Sequence, residues 1–134
     1  MKVLVDTSVW SLALRRGKQS TSAAAQELRN LIADKRVEMI GPIRQEILSG
    51  IREESQFEEL EMRLSAFPDH PITTEDYVMA ARFFNLCRRK GIQGSNTDFL
   101  ICAVAVHNRL SLFTTDKDFI AFSQHLPIIL HKGA

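Results

Sequence analysis

Cysteine is scarce in this chain: Cys87 and Cys102 are the only two, and both fall in stretches that read as helix. That pattern excludes a disulfide framework and fits buried thiols in a reducing compartment. The four histidines, His70, His107, His125 and His131, are scattered without ligand spacing, so no zinc site is legible. Long apolar runs are missing as well. Met1-Lys2 leads into Val3-Leu4-Val5 and then Asp6, a run too short for a signal peptide or a membrane span. A cytoplasmic protein without a membrane segment is expected. Net charge is nearly absent, since 17 Lys and Arg against 16 Asp and Glu leave a formal +1. The overall charge therefore lacks the positive field of a strongly basic nucleic-acid binder, without excluding that role.

What is present suffices for one folded domain. The 134 residues are 45% hydrophobic and 25% charged, which excludes disorder as the dominant state and allows a sizeable core. A single domain over residues 1–134 is the expected organisation.

The elements alternate. Val3-Leu4-Val5 is a continuous β-branched run of the kind found in a parallel strand buried on both faces. Asp6-Thr7-Ser8 can open a helix through Trp10, Leu12 and Leu14, and Arg15-Arg16-Gly17-Lys18 then reads as a solvated turn. Ser22 can cap a second helix carrying Leu28, Leu31 and Ile32, and residues 37–40 read as a second strand. Gly41-Pro42 opens a helix with Ile43, Ile47, Leu48 and Ile51 at helical spacing, which Gly50 ends or bends. An amphipathic charged stretch covers residues 57–67. Pro68 and Pro71 bracket a turn before a short expected strand at Ile72-Thr73. Thr73 and Asp76 have capping-box spacing for a helix running to Lys90. After Gly91 and Gly94, Asn96 or Thr97 is expected to cap a run from Phe99 to Val106 that is apolar all round, the mark of a buried helix. Residues 110–113 and 127–130 read as the last strands, with a short helix near 119–122 between them. Alternating strands and helices predict an α/β protein, a three-layer α/β/α sandwich around a parallel sheet. Its chemistry belongs beyond the carboxyl ends of the strands.

Acidic residues fall at those ends. Asp6 terminates the first strand, Asp116 follows the strand at 110–113, Asp98 sits in the first turn of the buried helix, and Glu46 flanks the apolar stripe of the helix after the second strand. Each has an ordinary structural reading: Asp6, Asp116 or Asp118 as a helix cap, Asp98 as a helix N-terminal charge, Glu46 as a solvated side chain. Jointly they describe a carboxylate cleft. Like charges in such a cleft repel, and hard divalent cations with oxygen preference reverse that balance.

Four segments, Val3-Leu4-Val5-Asp6-Thr7-Ser8-Val9-Trp10, Gln45-Glu46-Ile47-Leu48-Ser49-Gly50, Asn96-Thr97-Asp98-Phe99-Leu100-Ile101-Cys102-Ala103 and Leu112-Phe113-Thr114-Thr115-Asp116-Lys117-Asp118-Phe119, resemble the four acidic motifs of PIN-domain ribonucleases. Their order and spacing, over essentially the whole chain, are similar to the small VapC-type toxins of bacterial toxin–antitoxin pairs. The resemblance implies an Mg²⁺- or Mn²⁺-dependent endoribonuclease. Asp6, Glu46, Asp98 and Asp116 would be its catalytic, metal-binding quartet. It also implies assisting polar residues at Thr7, Ser8, Asn96, Thr97 and Thr115, with Asp118 as a secondary acid. It further implies an RNA substrate, a VapB-type antitoxin as inhibitor, and a homodimer.

Two other readings compete. One is a non-catalytic interaction module whose carboxylates meet a partner's arginines. The other is an Mg²⁺-binding receiver-type domain, which fits poorly because it wants an acidic pair after the first strand, where only Asp6 stands, and a phosphoacceptor Asp after the third. Trp10, Leu12 and Leu14, with residues 57–67, offer a groove for a partner helix, Trp10 being the side chain expected to be partly exposed. Arg15, Arg16 and Lys18, and Arg88, Arg89 and Lys90, are basic groups available to RNA, although the second group also suits a helix end. Setting the proposed quartet aside leaves 12 acidic residues against 17 basic ones, a formal +5 on the rest of the chain.

Overall fold

The computed structural model describes residues 1–14 and 21–132. The expected turn at Arg15-Arg16-Gly17-Lys18, and with it any RNA contact from those residues, lies outside the described residues.

The chain runs β1 (Val3–Val5), α1 (Thr7–Leu14), α2 (Ala23–Ala33), β2 (Val37–Glu38), α3 (Gly41–Leu48), α4 (Glu54–Leu64), α5 (Thr74–Arg89), α6 (Asn96–His107), β3 (Ser111–Phe113) and α7 (Asp118–Ser123). The three strands form a parallel sheet in the order β2-β1-β3. All three residues of β1 have no exposed surface, so both faces are covered and the α/β/α layering holds. Parallel neighbours require crossovers, and the chain leaves β1 toward one side for β2 and occupies the other side with β3. β1 is thus the switch point of the sheet, where ligands of open α/β folds bind.

Single bridges extend the sheet at both edges, Met39 to Asp69 and Leu112 to Leu130. They replace the two outer strands expected at 72–73 and 127–130. Thr73 forms no strand because its N–H donates to Asp76 Oδ2 at 2.9 Å as the start of α5. The pairing falls instead between Pro68 and Pro71, where the His70 N–H donates to Met39 O at 2.7 Å. In the last segment Pro127 has no N–H to give a ladder. Only the bonds from Leu112 N to Ile129 O and from His131 N to Leu112 O form, both 2.8 Å.

Side-chain caps set the starts of three helices, α2, α5 and α6. Ser22 accepts from the Ala25 N–H for α2, and Thr73 with Asp76 makes the expected capping box of α5. For α6 the cap is Ser95, one residue before the Asn96 or Thr97 expected: its hydroxyl accepts from the Asp98 N–H, and Asp98 Oδ2 accepts from the Ser95 N–H. Ser-x-x-Asp completes the reciprocal pair that neither Asn96 nor Thr97 has at the right spacing.

α6 is the central helix, with Phe99 and the run Ile101 to Ala105 buried. Its Phe99 ring lies 4.8 Å from Phe122 and 5.5 Å from Phe84, centroid to centroid. The loop ahead of α6 presses onto these rings at Gly94, where a Cβ would stand 2.6 Å from Phe122 Cζ and 2.9 Å from Phe99 Cε2. The rings belong to a packed core and have little room to yield. Gly94→Ala is therefore expected to destabilise the fold by about 1–3 kcal/mol, the usual cost of overpacking, read as a lower denaturation midpoint in urea.

Candidate active site

Asp6 leaves β1 at the switch point and is 6% exposed. Its position is held locally and across the sheet. Oδ2 accepts from the Ser8 hydroxyl at 2.8 Å, from the Thr114 hydroxyl at 2.9 Å and, at 3.4 Å, from the Ser8 N–H. Ser8 Oγ also accepts from the Thr115 N–H at 3.0 Å, and Thr114 Oγ1 accepts from the Asp116 N–H at 3.0 Å. Two hydroxyls thus tie the loop after β3 to the loop after β1. Thr114 lies within the fourth acidic motif but was not among the expected assisting residues. Its signal was position, directly after a buried parallel strand and two residues before an acid.

Asp116 Oδ1 accepts from the Asp118 N–H at 2.9 Å, at the start of α7. Asp98 Oδ2 serves the α6 capping box. Glu46 is exposed on α3, and its Oε1 accepts from the Thr7 hydroxyl at 2.9 Å, which joins α3 to the residue following Asp6. The tethers fit the structural readings of these acids. Each carboxylate spends one oxygen on a local tether and keeps the other free of hydrogen bonds from any described residue: Oδ1 of Asp6 and Asp98, Oδ2 of Asp116, Oε2 of Glu46. A tether through one oxygen orients the group, and the remaining oxygen is available to a ligand.

The electrostatics connect three of the four. Burial raises the Asp98 carboxyl above its ordinary value, against the Ser95 bonds that lower it, and the charges of Asp116 and Asp6 raise it further. Cys102, one turn after Asp98 on α6, is pushed up by burial first and then by Asp98, Cys87 and Asp6. It is a buried thiol, as is Cys87, with no disulfide between them. Among the described residues no group of three or more His, Cys, Asp or Glu side chains stands in a geometry that could hold a metal ion. The quartet is an open, all-oxygen set. Such a set suits a hard cation that keeps waters and takes further oxygens from a phosphate, rather than an ion in a closed protein cage.

The assisting residues divide. Ser8 and Thr7 act through their hydroxyls and Thr115 through its backbone N–H. Asn96 and Asp118 are exposed, Thr97 is half-buried, and no side-chain bond joins any of the three to the quartet. Asp76, at the head of α5, is fully buried in its capping box and bonded to His107. Trp10, expected to be partly exposed, is 3% exposed, with its ring edge-on to Phe67 at 5.2 Å. It sits on the α1 face turned inward, toward the end of α4.

Beside Glu46 a cleft of about 580 Å³ opens between α1, α3 and α4, with Ser11, Leu14, Ile47, Leu60 and Arg63 among its walls. A smaller cavity of about 140 Å³ shares Leu14 and Arg63 with it and reaches Trp10, whose buried indole N–H has no acceptor among the described residues.

Known proteins are similar to this chain in sequence or in architecture. The PIN domain family model matches residues 3–124, a span that includes all four acidic positions. The chain is similar to VapC ribonuclease Mb1587 of Mycobacterium bovis and to Ribonuclease VapC11 of Mycobacterium tuberculosis. Each is 32% identical over 121 residues, covering 87% of this chain and 88% of the relative. In fold it resembles a chain of the FitAcB structure from Neisseria gonorrhoeae, with a TM-score of 0.78 at 20% identity over 98% of this chain and 97% of that one. A chain of VapBC2 from Rickettsia felis, solved bound to a DNA fragment from its promoter, gives 0.78 at 18% identity over 98% of both. With its acids at the switch point of a β2-β1-β3 parallel sheet, the chain belongs to the PIN-domain family, of the VapC type.

Proposed function

We propose that this chain is a divalent-metal-dependent endoribonuclease, the toxin of a toxin–antitoxin pair, acting in the cytoplasm as a homodimer. The observation that carries the reading is the set of four carboxylates, each tethered by one oxygen and open at the other, around the end of β1. Asp6, Asp98 and Asp116 would hold Mg²⁺ or Mn²⁺, with Glu46 ligating directly or through water. The ion, when bound, supplies positive charge against the phosphodiester and makes water a stronger nucleophile at neutral pH.

The chain's own residues supply position and attraction. Ser8 and Thr114 hold Asp6 and the loop of Asp116 in one frame, so the carboxylates need little rearrangement to act together. Thr7 holds Glu46 at the solvent-facing mouth. The formal +5 on the remainder of the chain draws RNA toward a pocket that is itself acidic. The relatives and structural neighbours named as VapC ribonucleases or VapBC complexes support both the RNA substrate and an antitoxin partner. The cleft beside Glu46, apolar along Leu14, Ile47 and Leu60 and continued toward Trp10, is the surface we assign to a VapB-type helix.

The decisive experiment incubates the purified chain, freed of any partner, with total RNA. Cleavage is expected with Mg²⁺ or Mn²⁺, and is lost on adding chelator and on adding the antitoxin encoded beside it. Thermal denaturation gives an independent readout. The metal is expected to raise the melting temperature by binding only the folded state, by about 2.7 kcal/mol of stability at a concentration a hundred times its dissociation constant. Cleavage in chelator would reject the metal mechanism. A partner-free chain inert toward RNA with either metal would favour the interaction-module reading.

A further inference from the structure

A recess of about 210 Å³ lies between the last turns of α5 and the loop leading into α6, lined by Phe84, Arg88, Ile92, Gln93, Gly94 and Phe99. It belongs to none of the machinery described above, yet it adjoins it. Its wall at Gln93-Gly94 runs directly into Ser95, whose N–H donates to Asp98 Oδ2 at 3.2 Å, and its floor, Phe99, follows Asp98 in sequence. Drug-sized ligands occupy roughly 300–1,000 Å³, so this recess is on the scale of a single ring system. Its composition suits a planar polar heterocycle: the half-buried Phe84 offers a ring, the exposed Gln93 an amide with donors and an acceptor, and the Arg88 guanidinium stands 5.9 Å from the Phe84 centroid. Unpaired RNA bases are held by this combination of aromatic stacking, guanidinium planes and edge hydrogen bonds.

Charge decides the occupant. Arg88 lines the recess, Arg89 and Lys90 follow it in sequence at the end of α5, and none of the three makes an ion pair with a described carboxylate. A helix end explains their placement but leaves their charge available to a phosphate chain. Gly94 completes the shape, because the close approach of its backbone to Phe99 and Phe122 carries the loop over the ring cluster.

We propose that this recess is a base-binding subsite, seating one unpaired nucleobase of the RNA next to the acidic cluster and so selecting the cut site. The proposal rests on the ribonuclease reading. It assigns stacking to Phe84, edge recognition to Gln93, and a combined stacking and phosphate contact to Arg88, whose exposed guanidinium now lies over the Phe84 ring and moves aside to admit a base.

The test begins by end-mapping the products that the wild-type chain with Mg²⁺ makes from total RNA. A short single strand spanning the chosen cut is then synthesised intact and with an abasic nucleotide at each flanking position in turn. For the wild type, one abasic position is expected to raise KM about tenfold, the scale of one stacked base. Arg88→Ala and Gln93→Ala change exposed side chains. They are expected to raise KM for the intact strand toward the abasic value and to erase the difference between strands, and Phe84→Ala to do the same if it folds. Arg88→Ala should also shallow the dependence of log affinity on log salt by about 0.7, one phosphate on a single strand. Discrimination that persists in the Arg88 and Gln93 variants would overturn the subsite. Equal losses on intact and abasic strands would also overturn it, leaving a phosphate contact alone. A wild type that cuts no RNA overturns the ribonuclease reading itself, and the subsite with it.

Discussion

Asp98→Asn, and likewise Asp6→Asn, is expected to leave a folded chain whose cleavage of RNA has fallen at least about a hundredfold, because even an outer partner of a metal ligand is commonly worth about 10–100-fold. The fold should not suffer. An asparagine at 98 keeps an oxygen to accept the Ser95 N–H at the head of α6. It also removes a charge that burial, Asp116 and Asp6 all disfavour. In chelator the Asp98→Asn protein is therefore expected to melt at or above the wild-type temperature. With Mg²⁺ the order reverses, since the wild type gains binding energy and the variant gains little. Melting curves of both proteins, with and without the metal, separate lost chemistry from lost structure. A variant that melts well below the wild type in chelator, or one that cleaves as well with Mg²⁺, would contradict the role assigned to Asp98.

Asp76→Ala is expected to show the reverse pattern, a large loss of stability with no direct part in the chemistry. Asp76 is fully buried. Its Oδ2 accepts the Thr73 N–H at the start of α5, and its Oδ1 lies 2.6 Å from Nδ1 of His107 at the end of α6. The residue joins opposite ends of two helices that pack along each other. Loss of the cap costs about 1 kcal/mol, and loss of a buried charged hydrogen bond about 1.5–3 kcal/mol, so a total near 2–4 kcal/mol is expected in urea denaturation. Asp76→Asn keeps an acceptor oxygen and should lose less.

The pH dependence follows from the same contacts. Burial raises the Asp76 carboxyl, but the Thr73 backbone bond and the His107 contact outweigh it, so the group is held below its ordinary value of 3.8. A carboxylate depressed in the folded state adds stability above its unfolded value and loses it as pH falls through the folded one. The stability gap between wild type and Asp76→Asn should therefore close progressively as the pH falls below about 4. A gap independent of pH down to acid unfolding would mean that the Asp76 charge contributes nothing.

Much of this molecule was legible in one dimension because its decisive residues sit at element ends, where local chemistry and active-site position coincide. Val3-Leu4-Val5 followed by Asp6 declares both a buried parallel strand and an acid at its carboxyl end. The apolar run behind Asp98 declares a buried helix with a charge in its first turn. Thr73 and Asp76 declare a cap by spacing alone. These features depend on neighbours within four residues, so sequence suffices for them, and the α/β/α layering follows from their alternation.

Contacts between residues far apart in the chain could not be read this way. Thr114 on Asp6 spans 108 positions and Thr7 on Glu46 spans 39. The position of Thr114 after β3 marks it as close to an acid, but no local pattern tells that its hydroxyl, and not that of Thr115, reaches Asp6. The inward turn of Trp10 depends on where α4 ends. The outer strands shrank to single bridges because prolines and a competing helix cap took their hydrogen-bonding groups. The sequence alone determined which acids this protein has and the strand or helix end each occupies. Only the tertiary structure decided that Thr114 ties the loop after β3 to Asp6 and that a ring-lined recess lies beside Asp98, because the first joins segments 108 residues apart and the second is made where the end of α5 packs against the loop into α6.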